Sequence, residues 1–263
     1  LPEADLDLLR DAALASGDIA RRFWKNAPDI EEKPDGAGPV TEADLAIDGM
    51  LHTELRAARP DYGWLSEETE DSDARLNHDR VFIIDPIDGT RAFINGEAGF
   101  SHSLAIAEHG KVIAAAVYLP IRDEMYLAIP GQPATLNGSK IQATQAPMHD
   151  AKVLGAKPNF APAHWQGDET PPITRHFRSS LAWRLCLVAQ GRFDAMITIR
   201  PTWEWDVAAG SLIATCAGAT VTDLAGDAPL FNNPHPKLRG MLAAGPELHN
   251  GLITRLKPAS VPS

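Results

Sequence analysis

Val81-Phe82-Ile83-Ile84-Asp85-Pro86-Ile87-Asp88-Gly89-Thr90 runs from four apolar residues straight into two carboxylates, and its reading decides the architecture. A β-branched and aromatic run of this kind reads as a core strand. Pro86 has no amide to donate, so the ladder is expected to stop there and the chain to turn. At the turn, Asp85 and Asp88 offer hard oxygens to a divalent cation such as magnesium, and the intervening Ile87 carbonyl is available to the same ion. Gly89 permits close backbone approach, and Thr90-Arg91-Ala92-Phe93-Ile94 reads as a helix start whose free amides favour an anion. The strand end is therefore equipped for a cation beside a phosphate.

Asp-Pro and Asp-Gly are ordinary turn formers when met singly. A haloacid dehalogenase type of phosphatase also uses two aspartates, but two residues apart; here they lie three apart with Pro86 between them, a spacing better suited to shared metal ligation. Three further segments extend the pattern: Gly38-Pro39-Val40-Thr41-Glu42-Ala43-Asp44, Gly63-Trp64-Leu65-Ser66-Glu67-Glu68-Thr69, and Trp203-Glu204-Trp205-Asp206-Val207-Ala208-Ala209-Gly210. This set, in this order, resembles the inositol monophosphatase superfamily of magnesium-dependent, lithium-sensitive phosphomonoesterases, and the resemblance runs from about Asp44 to the Gly218 region. It implies an α+β fold, a five-layer αβαβα sandwich of the inositol monophosphatase and fructose-1,6-bisphosphatase type. An N-terminal lobe, residues 1–150, would carry most metal ligands, and a C-terminal lobe, residues 151–263, would donate Asp206 and substrate contacts.

Residue by residue, the resemblance implies that Glu67, Asp85 and the Ile87 carbonyl hold one metal, and that Asp85, Asp88 and Asp206 hold a second. Asp44 and Thr90, with Glu67 beside them, would orient and deprotonate the attacking water, and Asp88, Gly89 and Thr90 would take the phosphate oxygens. Two to three magnesium ions and inhibition by lithium follow from the same resemblance, as does two-metal hydrolysis by in-line displacement. Each residue also has a local reading. Thr41-Glu42-Ala43-Asp44 matches a capping box ahead of Ile47, Met50, Leu51 and Leu55 on one helical face. Asp206 before Val207-Ala208-Ala209 suits an N-cap, and Glu67-Glu68-Thr69-Glu70-Asp71 suits a solvated face. Singly the local readings are strong; jointly they leave the clustering of acids unexplained.

Substrate choice rests on other residues. Inositol phosphatases of the superfamily carry an acid a few positions before the Trp-Asp motif, and Met196-Ile197-Thr198-Ile199-Arg200 contains none. Cys186-Leu187-Val188-Ala189-Gln190-Gly191 and Arg200-Pro201-Thr202-Trp203-Glu204-Trp205-Asp206 look closer to the bacterial 3'(2'),5'-bisphosphate nucleotidase branch, which removes the 3'-phosphate from 3'-phosphoadenosine 5'-phosphate. Trp203 is then a candidate for stacking on a base, and Arg178, Arg184 or Arg200 for a bidentate pair with a remote phosphate. Inositol 1-phosphate or another small sugar or polyol monophosphate is the alternative substrate. A catalytically silent, metal-binding regulatory protein is the alternative of another class, opposed by the presence of every candidate ligand.

At 263 residues, with a formal charge of −11, the chain is large enough for a sizeable core and poorly suited to nucleic acid polymers or anionic membranes. A small phosphorylated metabolite is the expected partner, with the chain a monomer or homodimer. No apolar run approaches a membrane span, the start Leu1-Pro2-Glu3-Ala4-Asp5 lacks a signal core, and Cys186 and Cys216 read as buried thiols, so a cytoplasmic setting is expected. Periodicity predicts helices over Leu6 to Trp24, Glu42 to Ala58, Ser180 to Gln190 and Asp206 to Ala217. Strands are predicted over Val81 to Ile84, Ser101 to Ala107, Val112 to Leu119, Glu124 to Ile129 and Ala195 to Ile199, with a hairpin turn at Asn137-Gly138. Lys33 to Pro39 and Asn159 to Pro172 read as loops.

Overall fold

Alternation along the strands builds the layers, and a computed structural model shows it over residues 2–26, 28–33 and 38–257; residues 34–37 of the expected Lys33 to Pro39 loop lie outside the described residues. The chain opens with α1 (Pro2–Phe23), a two-stranded hairpin β1 (Ile30–Glu32) and β2 (Pro39–Thr41), and α2 (Glu42–Ala58). There follow β3 (Gly63–Ser66), β4 (Arg80–Asp88), the short helix α3 (Thr90–Ile94), β5 (Ser101–Glu108), β6 (Lys111–Leu119), β7 (Glu124–Ala128), β8 (Thr135–Leu136) and β9 (Ser139–Lys140). These last seven strands form one sheet in sequence order; β3 runs parallel to β4 and the other pairings are antiparallel. Phe82 and Ile84 of β4 join Leu9, Ile47 and Leu51 of the helices, whereas Val81 and Ile83 face the other way. Ala114, Ala116 and Tyr118 alternate with Ala115, Val117 and Leu119 of β6 in the same sense. Both faces are apolar, so both must be covered.

The second face meets α4 (Leu181–Ala189) and α5 (Glu204–Cys216), which pack so closely that a Cβ on Gly210 would lie 2.7 Å from Leu185 Cβ. Their far side rests on a five-stranded sheet ordered β11-β10-β12-β16-β14. Its strands are β10 (Ala151–Leu154), β11 (Ile173–His176), β12 (Ala195–Thr198), β14 (Thr220–Thr222) and β16 (Met241–Ala244); β13 (Thr202–Trp203) and β15 (Lys237–Leu238) pair separately. Met196, Met241 and Ala243 point to the central helices, while Ala195, Ile197, Leu242 and Ala244 pack with Leu248 and Leu252 of α6 (Pro246–Ile253). The stack is α, β, α, β, α, the expected five-layer sandwich.

Several local expectations need correction. Strand β4 does not stop at Pro86. It continues to Asp88, with Asp85 opposite Ser103 and Asp88 opposite Ser101, so three steps on β4 face two on β5 and the extra residue forms a bulge. A proline is tolerated there because the bulge already breaks the ladder. Helix α5 starts at Glu204, which places Asp206 in the first turn rather than at the N-cap. The segment from Asn159 to Pro172 is anchored by Trp165, which is fully buried and bridges to Leu256. Asn137-Gly138 does turn the β8–β9 hairpin, both residues having positive φ (48° and 79°) as a type I′ turn requires. Cys186 is buried, Cys216 is half-buried, and both are free thiols. No helix among the described residues is long and apolar enough to cross a membrane.

Candidate active site

Glu67, Asp85 and Asp206 each bring one carboxylate oxygen into a group whose members all lie within 4.8 Å of one another. Parallel pairing explains two of them: β3 and β4 end side by side, and the Glu67 amide donates to the Ile84 carbonyl at 3.2 Å. The third is pinned through Ser103. This residue sits opposite Asp85 in the sheet, and its hydroxyl donates to the Trp205 carbonyl at 3.0 Å, one residue before Asp206. Asp85 is 1% exposed and its buried Oδ1 has no hydrogen-bond partner among the described residues. Burial, then the charges of Glu67, Asp88, Asp206 and Asp44, hold its carboxyl well above the usual range; burial, Asp88 and Glu67 do the same to Asp206. Buried unpaired carboxylates are costly, and an all-oxygen convergence of this kind fits a hard divalent cation.

Asp88 is engaged differently. It caps α4 from across the interface, accepting from Ser180 Oγ and the Ala182 amide at 2.6 Å each and from the Leu181 amide at 3.2 Å. Three of a carboxylate's roughly four acceptor positions are thus used, which leaves one open. Burial lifts the Asp88 pKa to about 6, with the three donors and Arg184 pulling the other way. Gly89 is left-handed (φ +100°), a conformation that side chains rarely adopt, and a Cβ there would also press on the Gly99 carbonyl oxygen at 3.3 Å. Thr90 Oγ1 donates to the Ile87 carbonyl at 3.2 Å.

Asp44 completes the capping box of α2: its Oδ2 accepts from the Thr41 amide at 2.9 Å and from Thr41 Oγ1 at 2.5 Å. Its Oδ1 is buried without a partner among the described residues. One oxygen therefore serves the helix and the other is free; burial raises the pKa to about 6 against the two Thr41 hydrogen bonds. No hydrogen bond joins Asp44 to Thr90, and each is bonded within its own turn.

Three site residues lay outside the sequence reading. Lys33 Nζ reaches Glu67 at 2.8 Å and Glu68 at 2.7 Å, so these acids do not form the solvated face that their run suggests. Burial and the Glu67 charge push Glu68 to about 7 even against Lys33. Asp48 of α2 accepts from Ser66 Oγ at 2.5 Å and Thr69 Oγ1 at 2.7 Å, which braces the turn carrying Glu67. Ser180 is the third, and only its place ahead of an apolar helical run hinted at a cap.

The expected substrate contacts divide. Arg178 is half-buried and Arg200 exposed. Arg184 is turned inward, its Nε donating to the Arg178 carbonyl at 2.6 Å and its Nη2 to the Ser179 carbonyl at 3.3 Å, and burial lowers its pKa to about 10. Trp203 stacks on Trp205 with ring centroids 4.6 Å apart and carries Lys237 Nζ 3.8 Å from its ring centroid. Both residues thus have partners within the chain.

Residues 3–260 match the Inositol monophosphatase family, and the chain belongs to that family. It is 32% identical over 236 residues to the 3'(2'),5'-bisphosphate nucleotidase CysQ of Escherichia coli O157:H7, covering 87% of this chain and 94% of the relative. It is 29% identical over 260 residues to an inositol-1-monophosphatase of Mesorhizobium japonicum, covering 92% of each. Among solved structures, a Thermotoga maritima IMPase superposes with a TM-score of 0.82 at 28% identity, over 95% of this chain and 96% of the other. The chain is accordingly a phosphoric monoester hydrolase.

Proposed function

We propose that this chain is a magnesium-dependent phosphomonoesterase that hydrolyses a 3'(2'),5'-bisphosphate nucleotide, 3'-phosphoadenosine 5'-phosphate, to AMP. The observation that carries the chemistry is the convergence of Glu67, Asp85 and Asp206, with Asp85 Oδ1 lacking any donor. Glu67, Asp85, Asp206, the Ile87 carbonyl and the open position on Asp88 are the groups that would hold the ions. When bound, magnesium acidifies an attacking water and neutralises charge on the phosphate and leaving oxygen.

Around that centre, the chain's own groups have defined tasks. Asp44 Oδ1 is free to take a proton from the water, and a pKa of about 6 leaves it ionised at neutral pH but basic enough to act. Thr90, freed from the Ile87 carbonyl, would orient that water. The left-handed Gly89 turn lets the backbone approach the phosphate in a conformation that side chains rarely adopt. We read residues 1–150 and 151–263 as two lobes, since each sheet is drawn from one of these ranges. The two free thiols agree with a reducing, cytoplasmic setting.

The nucleotide reading rests on the CysQ relative and on the absence of an acid across Met196 to Arg200. Magnesium-dependent phosphate release from 3'-phosphoadenosine 5'-phosphate and inositol 1-phosphate, compared as kcat/KM with and without millimolar lithium, tests it. We expect a clear preference for the nucleotide and inhibition by lithium. Preference for inositol phosphate would overturn the substrate while leaving the chemistry, and release from neither would overturn both.

A further inference from the structure

Glu67 and Asp206 reach the acidic cluster from different layers, one from the end of β3 and the other from the first turn of α5. Ser103 ties α5 to the middle of the seven-stranded sheet, but β3 is an edge strand, paired on one side only. Among the described residues the Glu67 side chain bonds Lys33 and not Asp206, so the two carboxylates do not hold each other in place.

A buried polar network joins their carriers directly. It starts at Arg75, 2% exposed, on the short helical turn Asp73–Asn77 between β3 and β4. The Arg75 backbone lies against the start of β3, where a Cβ on Gly63 would be 3.2 Å from Arg75 Cα. Its guanidinium grips the segment that follows Glu67, Nε and Nη2 donating to the two Asp71 oxygens at 2.6 and 3.0 Å. The same group crosses to a turn of the other lobe, donating to Asn232 Oδ1 at 2.5 Å and to the Asn233 and Pro234 carbonyls at 2.8 and 3.4 Å. Glu204, the first residue of α5 and fully buried, holds the opposite side of that turn. It accepts from the Asn232 amide at 2.6 Å, the Asn233 amide at 3.0 Å and Asn233 Nδ2 at 2.7 Å.

Arginine takes the carbonyls and glutamate the amides, so the turn is clamped between opposite charges. Asn232 is left-handed there (φ 62°), which asparagine tolerates better than most residues. Apolar side chains of similar volume often stabilise a fold as well as buried charges do, or better. Only directed hydrogen bonds, above all those of a planar guanidinium, also fix distance and angle between two elements.

We infer that Arg75 and Glu204 are positioning residues for the metal centre: through the Asn232–Asn233 turn they set the spacing of β3 and α5, and so of Glu67 and Asp206. The inference rests on the reading of Glu67, Asp85 and Asp206 as metal ligands. Its consequence is reciprocal, since a clamp that helps a cation bind must itself be tightened by the cation.

The test uses the full chain without substrate, with manganese as the probe, titrated and followed by its electron paramagnetic resonance signal. Asn233→Ala leaves both backbone donors to Glu204 in place, and Arg75→Lys keeps the charge but loses the planar fork. Each should bind manganese about 3- to 10-fold more weakly than wild type, the range for one net hydrogen bond. Saturating magnesium should restore kcat, with KM for the substrate unchanged. In wild type, magnesium should slow hydrogen exchange at the Asn232 and Asn233 amides more than at the α6 amides of the outer layer, a readout that needs no variant to fold. Variants that melt lower in EDTA yet bind manganese as wild type does, or Asn232 and Asn233 amides that respond to magnesium no more than α6, overturn the clamp and leave the metal reading intact. A wild-type chain that binds no manganese overturns the metal reading, and the clamp with it.

Discussion

Two aspartates, Asp5 of α1 beside the start of β4 and Asp85 near its end, are equally buried, each 1% exposed, and are treated in opposite ways. Beside Arg80, at the start of β4, Asp5 accepts from Arg59 Nε at 2.8 Å, Tyr62 Oη at 3.0 Å and Arg80 Nη1 at 3.4 Å. Near the end of β4, Asp85 has an oxygen with no donor among the described residues and four acids for neighbours that raise its pKa further than burial alone. The first arrangement ties α1 to α2 and to the sheet. The second leaves repulsion in place, to be relieved by a bound cation or, without one, by a proton. A satisfied buried carboxylate marks the scaffold, and an orphaned one marks the site.

The sharpest way to break this comparison is Asp85→Asn. We expect turnover with saturating magnesium to fall by at least ~100-fold, as when a catalytic electrostatic group is lost. The same variant should melt no lower than wild type in EDTA, because without a cation Asp85 is held protonated and the amide replaces one neutral buried group by another. Near wild-type turnover would end the assignment of Asp85 to the metal centre.

Asp5→Asn should do the reverse. It leaves two guanidiniums without their shared carboxylate, and since these are about 30% exposed the loss is muted by solvent, to about 2 kcal/mol of stability. The melting temperature should drop by several degrees, while kcat/KM at 25 °C stays near wild type. A variant that melts normally but turns over slowly would erase the distinction between the two ends of the strand.

Much of this molecule is legible locally. Phe82 and Ile84 alternate with Val81 and Ile83, and Thr41 caps α2 as its spacing with Asp44 requires, because period and capping depend on residues a few positions apart. The polar pairings that set the site are not local. Ser180 meets Asp88 across 92 residues, Ser103 meets Trp205 across 102, and Lys33 meets Glu67 across 34. Each depends on how one layer lies on another. The bulge at Pro86 was missed for a related reason: a missing amide predicts that a ladder bond is lost, but not that the strand resumes beyond it. The partners of Arg184 and Trp203 within the chain are likewise set by packing and are not legible in the sequence.

The smallest expected effect sharpens the comparison through protons. Asp85 and Asp206, with pKa values raised well above the usual range, and Glu68, raised to about 7, hold protons in the fold that the unfolded chain has released. Groups raised in this way stabilise fully below their unfolded values, and the contribution is lost as pH rises through the folded ones. His102 has the opposite sign, since burial lowers its pKa to about 4 and its contribution is lost as pH falls below about 6.5. His249 is lowered too, and only above about pH 7.5 are both imidazoles neutral in folded and unfolded chains, so the window from about pH 7.5 to 8 isolates the acids. In EDTA, stability should therefore decline across that window, by up to about 1.4 kcal/mol per pH unit for each proton retained. Saturating magnesium should flatten the slope, because a bound cation favours the ionised carboxylates in the folded chain. Asp5→Asn should leave the slope unchanged and Asp85→Asn should reduce it; a slope that ignores magnesium and Asp85 alike would place the coupled protons outside the acidic cluster.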